Sequence, residues 1–92
     1  MSPKKNHFKE VIKRDGRLIP FEQEKISAAI KKAMMAAQEG NPEIDSERVS
    51  DQVVNALAHK YESTHIPNIE QIQDMVETQL MATGFTQTAK SY

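Results

Sequence analysis

The 92-residue sequence predicts a small α+β domain with an N-terminal β-hairpin, a short third strand and four helices. Three observations predict this class. A turn dipeptide separates two short apolar segments, apolar residues recur at spacings of three and four in the later segments, and turn or capping residues stand between these segments. A chain of this length buries roughly two-thirds of its surface, so we expect one small core and no deep enzymatic cavity.

The hairpin is predicted on either side of Asp15-Gly16. This dipeptide is typical of a two-residue type I′ turn, in which both central residues have positive φ. An isolated hairpin is at best marginally stable in water, so we expect it to lie on the helices that follow. The apolar residues of its two strands are Phe8, Val11, Ile12, Leu18 and Ile19.

Two helices are predicted after the hairpin. The first covers residues 22–38 and ends at Gly40-Asn41-Pro42, and the second begins after Asp45 or Ser46, either of which can cap it. The predicted buried stripe of helix one is Ile26, Ala29, Ile30, Ala33 and Ala37. The predicted line on helix two is Val49, Val53, Leu57 and Tyr61.

Residues 63–66 interrupt the helical period and predict the third strand. Pro67 and Asn68 begin helix three, with Gln71 placed for a capping box. Gly84 ends this helix, and Thr86 is the expected N-cap of a fourth helix. The predicted buried stripe of helix three is Ile69, Ile72, Val76 and Leu80, and Ala89 and Tyr92 would share a face of helix four.

The composition argues against several classes of protein. The chain has no cysteine, which excludes disulfides, thiolate metal sites and a cysteine nucleophile. Its three histidines lack the spacing of a helical metal site, and no apolar segment approaches the roughly 18 residues that a membrane span needs. Residues 1–10 contain no hydrophobic segment of the kind that a signal peptide requires. We expect no catalysis by this segment alone, no metal site, no membrane partner and a cytoplasmic location.

The net charge of −1 hides an asymmetry, because residues 1–32 carry +5 and residues 33–92 carry −6. Such an imbalance suggests that the N-terminal part meets an anion. Lys13 and Arg14 stand where the first strand enters the turn, and Lys25 lies in the first turn of helix one, where the helix N-terminus favours anions. The pattern fits a phosphate site, and a solvated cationic surface is the alternative.

Two motifs resemble a known family. The segment V-I-K-R-D-G at 11–16, followed by P-F-E-Q-E-K-I-S-A-A-I at 20–30, is similar to the opening signature of the ATP-cone domain. The segments I-P-N-I-E-Q-I-Q-D-M-V-E at 66–77 and G-F-T-Q-T-A-K-S-Y at 84–92 resemble its second half in order and spacing. The resemblance covers nearly the whole chain, from residue 8 to residue 92.

This resemblance implies a nucleotide-binding regulatory module built as a four-helix bundle capped by a three-stranded mixed β-sheet. Members of the family sense ATP against dATP in ribonucleotide reductases and switch the attached enzyme, commonly through its oligomeric state. The second half is most similar to the anaerobic, class III ribonucleoside-triphosphate reductases. The implied effector is ATP or dATP with Mg²⁺, and the implied partners are the catalytic domain of the parent reductase and a second copy of the cone.

The resemblance also implies site residues. The family's phosphate contacts fall on Lys13 and Arg14, and its helix-one lysine falls on Lys25. Ile26 would contact the base, and Glu22 takes the position from which some members read the adenine edge. The full implied nucleotide-binding set is Val11, Lys13, Arg14, Glu22, Lys25, Ile26, Ile72 and Gln73.

Three positions depart from the family pattern. Gln73 stands where other members place a histidine, and a glutamine cannot carry charge. Ile19 stands where some members hold an acid. The last helix of the family continues and supplies another basic residue to the triphosphate, for which Lys90 is no obvious substitute. We therefore expect residues 1–7 to be a flexible leader and residues 8–92 to be a cone truncated within its last helix.

The sequence leaves several hypotheses for the function open. The cone could belong to another reductase class or to a reductase-linked transcriptional regulator, or the chain could be an interaction module without a ligand. Nucleic acid is not an expected partner, because helices two and three are acidic and DNA binding needs a basic recognition helix. Met34 and Met35 either fill the core or, with the surface of helix two, form a face for a partner copy.

Overall fold

The computed structural model describes residues 8–62 and 64–92, which form an antiparallel pair of strands and four helices. The α+β class is therefore confirmed, and the predicted leader lies outside the described residues. Helix α1 packs against α2 and α4, and α3 packs against α2 and α4. The elements are β1 (Glu10–Ile12), β2 (Leu18–Pro20), α1 (Gln23–Ala37), α2 (Pro42–Lys60), α3 (Ile69–Ala82) and α4 (Thr86–Ser91). In this part of the chain, no helix combines the length and the apolar character that crossing a membrane requires.

The hairpin lies on the helices. This was expected, because an isolated hairpin is only marginally stable in water. Its strands pair with Val11 opposite Ile19, and Phe8, Val11 and Phe21 are buried in the same core cluster as the helices. The ring centroids of Phe8 and Phe21 are 5.9 Å apart. Full burial of side chains of this size is worth about 1.5–3 kcal/mol each, so these residues fix the position of the hairpin.

The predicted type I′ turn is wrong. The N–H of Lys13 donates to the carbonyl of Arg17 (2.8 Å) and that of Gly16 to the carbonyl of Lys13 (2.9 Å), which leaves a three-residue loop. Of the loop residues, Gly16 alone has positive φ (88°), as in a type I turn followed by a bulge. The Asp15 carboxylate accepts hydrogen bonds from Arg17 N (3.0 Å) and Nε (2.7 Å), and this pair favours the longer loop.

The predicted third strand is absent from the described residues, of which residue 63 is not one. A hydrogen bond from Ile12 N to Pro67 O (3.0 Å) and one parallel bridge between Ile12 and Asn68 are all that this segment adds to β1. The ladder cannot extend, because Pro67 has no N–H and the N–H of Asn68 donates to Gln71 Oε1 (3.0 Å). The three-stranded mixed sheet is therefore corrected to a two-stranded antiparallel sheet.

The buried stripe of α1 differs in part from the predicted one. Ala29 is exposed and Ala37 is only half-buried, whereas Met34 is 0% exposed. The long methionine side chain fills the core better than an alanine does, so the buried face lies on the line of Ile26, Ile30 and Met34. Met35 is 61% exposed, so Met34 is a core residue and Met35 is a surface residue.

Helix α2 begins earlier than predicted. Asn41 is its N-cap, with the side chain accepting from Glu43 N (3.2 Å), and Pro42 occupies the first turn. Helix α1 ends at Ala37, with Gln38 as its C-cap in the left-handed conformation. Asn41-Pro42, predicted to end the first helix, instead starts α2, because proline is preorganised for the first helical position. Asp45, a predicted cap, instead accepts from Asn41 N (2.7 Å). Val49, Val53 and Leu57 are buried as predicted, and Tyr61 lies half-buried at the C-cap.

The third helix follows the sequence closely. The predicted capping box is present, with Gln71 N donating to Asn68 Oδ1 (2.8 Å) and Asn68 N to Gln71 Oε1 (3.0 Å). Gly84, at φ 91°, follows the last turn, and Phe85 N donates to Leu80 O (2.8 Å). The predicted stripe is buried at Ile72, Val76 and Leu80 and partly buried at Ile69.

The first turn of helix α4 is hydrogen-bonded by a residue that is distant in the sequence. The N-cap position belongs to Phe85, and Thr86, the predicted cap, is the first helical residue. The Glu39 carboxylate instead accepts hydrogen bonds from Thr88 N (2.8 Å) and Thr88 Oγ1 (2.9 Å). These bonds, that from the Thr88 N–H first, lower the pKa of Glu39 below its ordinary value. The short helix is thus tied to the loop that follows α1.

The two adjacent methionines provide a test of the packing. Met34→Ala should lower the free energy of unfolding by about 2–5 kcal/mol, since it opens a cavity in the core. Met35→Ala should change it by less than about 0.5 kcal/mol, since the side chain is exposed. Urea unfolding of both variants gives the two values. Equal losses in the two variants would contradict the assignment of Met34 to the core and Met35 to the surface.

Candidate functional site

A cavity of about 170 Å³ lies where the hairpin meets the first turns of α1 and α3. Its walls are mainly apolar, and its polar side chains are Glu22, Lys25, Gln73 and Tyr92. The apolar residues come from the strands, the link to α1 and the two helices, and they are Val11, Ile19, Pro20, Phe21, Ile26, Ile69 and Ile72. An apolar pocket with a few polar groups is typical of a small-molecule site.

Six of the eight residues that the family resemblance implies line this cavity. They come from β1, α1 and α3 or stand next to them in the chain, and they are Val11, Glu22, Lys25, Ile26, Ile72 and Gln73. Their convergence depends on the hydrogen bond from Ile12 to Pro67 (3.0 Å), which ties the hairpin to the residues before α3. Binding by these residues stays a prediction.

Arg14 does not line the cavity but contacts Gln73, a residue that does. It lies in the hairpin loop, and its Nη2 donates to Gln73 Oε1 at 3.3 Å. The guanidinium is therefore held beside the cavity by an exposed, neutral partner, which an anion could replace. Lys13 is not in contact with the cavity; it closes the hairpin loop with its backbone and is half-buried.

The first turn of α1 favours a negative ligand. Glu22 is the N-cap residue, but its side chain makes no capping hydrogen bond to the helix. The helix N-terminus therefore keeps its positive electrostatic potential beside Lys25, one turn along. The Lys25 ammonium is 3.9 Å from Glu22 Oε2, and both side chains are largely exposed, so this ion pair is weak. Lys25 is free to turn toward an anion at small cost.

The other side of this turn is anchored to α2. Gln23 Nε2 donates to Asp51 Oδ1 (2.6 Å) and to Ser50 Oγ (3.2 Å). Ser50 is fully buried, and its hydroxyl in turn donates to Glu47 O (2.9 Å). These bonds fix the start of α1 relative to the core, and therefore fix the direction in which its N-terminus points.

Sequence reasoning missed several residues of the cavity wall. Pro20 is the last residue of β2, Phe21 lies between β2 and α1, Ile69 starts α3, and Tyr92 follows α4. The most informative is Tyr92, because it comes from the far end of the chain and no local pattern could indicate the contact. Burial raises the pKa of its phenol above the ordinary value of 10.0.

A second, more polar cavity of about 380 Å³ adjoins the first. Both are lined by Gln73 and Tyr92. Its other walls come from one face of α1 and from Ser91. Ala29, which the sequence placed in the core stripe, lines this cavity together with Lys32, Ala33 and Ala36. Gln73 and Tyr92 thus form the partition between an apolar space and a polar one.

Residues 8–62 and 64–92 contain no group of three or more histidine, cysteine or acidic side chains placed to hold an ion. Glu22 is the one carboxylate in the wall of the first cavity.

Comparison with known proteins gives a consistent family. A family model described as the ATP cone domain matches residues 9–92. The chain is 45% identical over 90 residues to the vitamin B12-dependent ribonucleoside-diphosphate reductase of Thermoplasma acidophilum, covering 92% of this chain and 11% of the relative. It is 36% identical over 88 residues to the ribonucleoside-diphosphate reductase subunit alpha of Chlamydia pneumoniae, covering 89% of this chain and 8% of the relative.

An anaerobic enzyme is also among the relatives. The anaerobic ribonucleoside-triphosphate reductase of Escherichia coli is 34% identical over 82 residues, covering 89% of this chain and 11% of the relative. The chain thus spans about a tenth of the length of the relatives that it matches. The anaerobic triphosphate reductases that its motifs resemble stand beside two other kinds of ribonucleotide reductase, so the class of the parent enzyme stays a prediction.

Proposed function

Since this chain belongs to the ATP-cone family, we propose that it binds ATP or dATP in the cavity between the hairpin, α1 and α3. Bound there, the nucleotide acts as an allosteric effector that controls the overall activity of a ribonucleotide reductase. The chain itself performs no catalysis, and its direct partner is the catalytic domain of the parent enzyme. The observation that carries the proposal is an apolar cavity with a cationic rim at a helix N-terminus.

The cavity is large enough for only part of a nucleotide. A volume of about 170 Å³ is below the roughly 300–1,000 Å³ of pockets that enclose whole small ligands. It can therefore enclose the base and part of the ribose, while the phosphates stay outside. The apolar walls provided by Val11, Ile26 and Ile72 suit the faces of a purine ring, which gains from leaving water.

The phosphates have cationic partners at the rim. Lys25, in the first turn of α1, lines the cavity, and Arg14 contacts another lining residue, Gln73. Hydrogen bonds between cations and phosphate are worth about 1.5–3 kcal/mol each, roughly twice those between neutral groups. Arg14 would therefore exchange the amide of Gln73 for a phosphate oxygen. Lys13, in the same loop, would join them by a change of side-chain rotamer.

Polar groups in the wall supply the specificity. Glu22 is an acceptor for the exocyclic amine of adenine, a group that guanine carries at a different position. Gln73 can donate to or accept from a ribose hydroxyl once Arg14 has moved. ATP and dATP differ by one hydroxyl, and leaving its partner unpaired costs about 1–3 kcal/mol. Mg²⁺ would arrive on the phosphates, since it is usually held by phosphate oxygens, water and one or two carboxylates.

The class of the parent reductase is the open part of the proposal. The second half of the sequence resembles anaerobic triphosphate reductases, whereas the 45% identity is with an enzyme named as B12-dependent and acting on diphosphates. Both would place the cone in the same regulatory role. A difference in affinity between the active and inactive forms of about 1–3 kcal/mol would change activity by roughly 5- to 150-fold.

Substitution of the cations tests the site. Arg14→Ala and Lys25→Ala should each weaken ATP binding by at least about tenfold, because each removes a charge-assisted hydrogen bond. Lys13→Ala should do the same, because a change of rotamer brings its side chain to the phosphates. Isothermal titration gives the dissociation constants, and thermal melts show that each variant is folded. Lys60→Ala removes the same charge at a position outside the cavity and serves as the control. Unchanged affinity in folded Arg14→Ala and Lys25→Ala would contradict the site.

Control through oligomeric state gives a separate test. Of the two methionines considered for a partner face, only Met35 is available, and Ile44 on α2 is also exposed. We expect the full-length reductase to sediment with different masses in ATP and in dATP. Met35→Lys should abolish the larger assembly, whereas Met81→Lys, at a similarly exposed position on α3, should leave it intact. A single mass with both nucleotides would contradict regulation by assembly.

A further inference from the structure

The contact between Glu39 and α4 links the loop after α1 to the nucleotide cavity. Glu39 is placed by the end of α1, where Gln38 adopts a left-handed conformation (φ 53°) and Glu39 N donates to Met34 O (3.2 Å). Its carboxylate accepts from Thr88 N (2.8 Å), Thr88 Oγ1 (2.9 Å) and, at 3.5 Å, Gln87 N. One half-buried carboxylate therefore occupies the first-turn donors of α4.

This contact matters because α4 cannot hold itself in place. The helix has six residues, well below the roughly 12–15 at which an isolated helix becomes marginally stable. Its N-cap residue, Phe85, provides no side-chain hydrogen bond. Thr88 and Ala89 are its buried residues, and both side chains are small, so the helix itself buries little apolar surface. Phe85, just before it, is partly buried against the core. Glu39 supplies the polar part of its attachment.

The same helix carries a wall of the proposed nucleotide site. Tyr92 N donates to Thr88 O (2.8 Å), so Thr88 is bonded to Glu39 on one side and to Tyr92 on the other. Tyr92 lines this cavity and also lines the second one. If α4 moves away, the apolar cavity loses this wall.

We propose that Glu39 is a positioning residue for nucleotide binding, which it supports by holding α4 and thereby Tyr92 against the base cavity. The inference rests on the proposed function, because the ligand is the same adenine nucleotide. It adds a residue outside the cavity that contacts no part of the ligand. When only a fraction of the molecules has α4 in place, the apparent affinity falls by that fraction.

The test combines affinity with a local readout. Glu39→Gln in the 92-residue chain should weaken ATP binding by about 3- to 10-fold, and Glu39→Ala at least as much. Hydrogen exchange of the Gln87, Thr88 and Tyr92 amides should accelerate in these variants without nucleotide, while exchange in α3 should not change. The control is Glu77→Gln, which removes the same charge on the exposed face of α3 and should bind ATP within about twofold of the unaltered chain. All titrations are made below the melting transition of each variant.

A double-mutant cycle shows whether the effect passes through Tyr92. Tyr92→Ala should weaken binding, and adding Glu39→Gln to it should cause no further loss. Full additivity of the two losses would overturn the positioning role, as would a folded Glu39→Ala that binds ATP like the unaltered chain. If the unaltered chain binds neither ATP nor dATP, the proposed function itself fails and the positioning role fails with it. The titration of the unaltered chain therefore separates the two failures.

Discussion

The attachment of the hairpin to the helices is the constraint on which the rest of this structure depends. Two strands of three residues each cannot persist alone in water. They are held by the burial of Phe8, Val11 and Phe21 and by the hydrogen bond from Ile12 to Pro67. The cavity exists because the hairpin closes over the starts of α1 and α3, and a chain without this attachment would leave an open apolar surface in place of a pocket.

The same arrangement separates the apolar and charged parts of the site. The proposed base cavity needs large apolar side chains, and these come from inward-facing positions of the strands and helices. Cations cannot be buried cheaply without partners, so Arg14 and Lys25 stay at the rim, where water solvates them until an anion arrives. Their present partners, Gln73 and Glu22, make exposed contacts of 3.3 and 3.9 Å that are easily exchanged. The contacts of Arg14 and Lys25 are thus weak enough for the proposed phosphate binding to replace them.

Much of the fold could be predicted from the sequence, wherever local chemistry decides the structure. The capping box of α3 depends on Asn68 and Gln71 alone, and periodicity alone places Val49, Val53 and Leu57 in the core. The errors arise where a second interaction competes with the local pattern. The bond between Asp15 and Arg17 favours the longer turn, Asn41-Pro42 starts α2 instead of ending α1, and Pro67 prevents a third strand.

The cavity residues likewise fall into those that the sequence predicts and those that it does not. The motifs place most of the cavity residues, because the strand, turn and helix that carry Val11, Glu22, Lys25 and Ile26 are continuous in the chain. Tyr92 was not predicted as a wall residue, since its place depends on α4, whose first turn is hydrogen-bonded to a carboxylate 49 residues away. Contacts of this range depend on the packed helices and leave no periodic trace in the sequence.

The central claim is that this chain binds an adenine nucleotide, and a thermal melt of the 92-residue chain with ATP, dATP, GTP or no nucleotide tests it most directly. A ligand at a hundred times its dissociation constant adds about 2.7 kcal/mol to the free energy of unfolding. For a domain of this size, that raises the melting temperature by roughly 10–20 °C. The account predicts such a rise with ATP and dATP and none with GTP. Identical melting temperatures in all four conditions would contradict it.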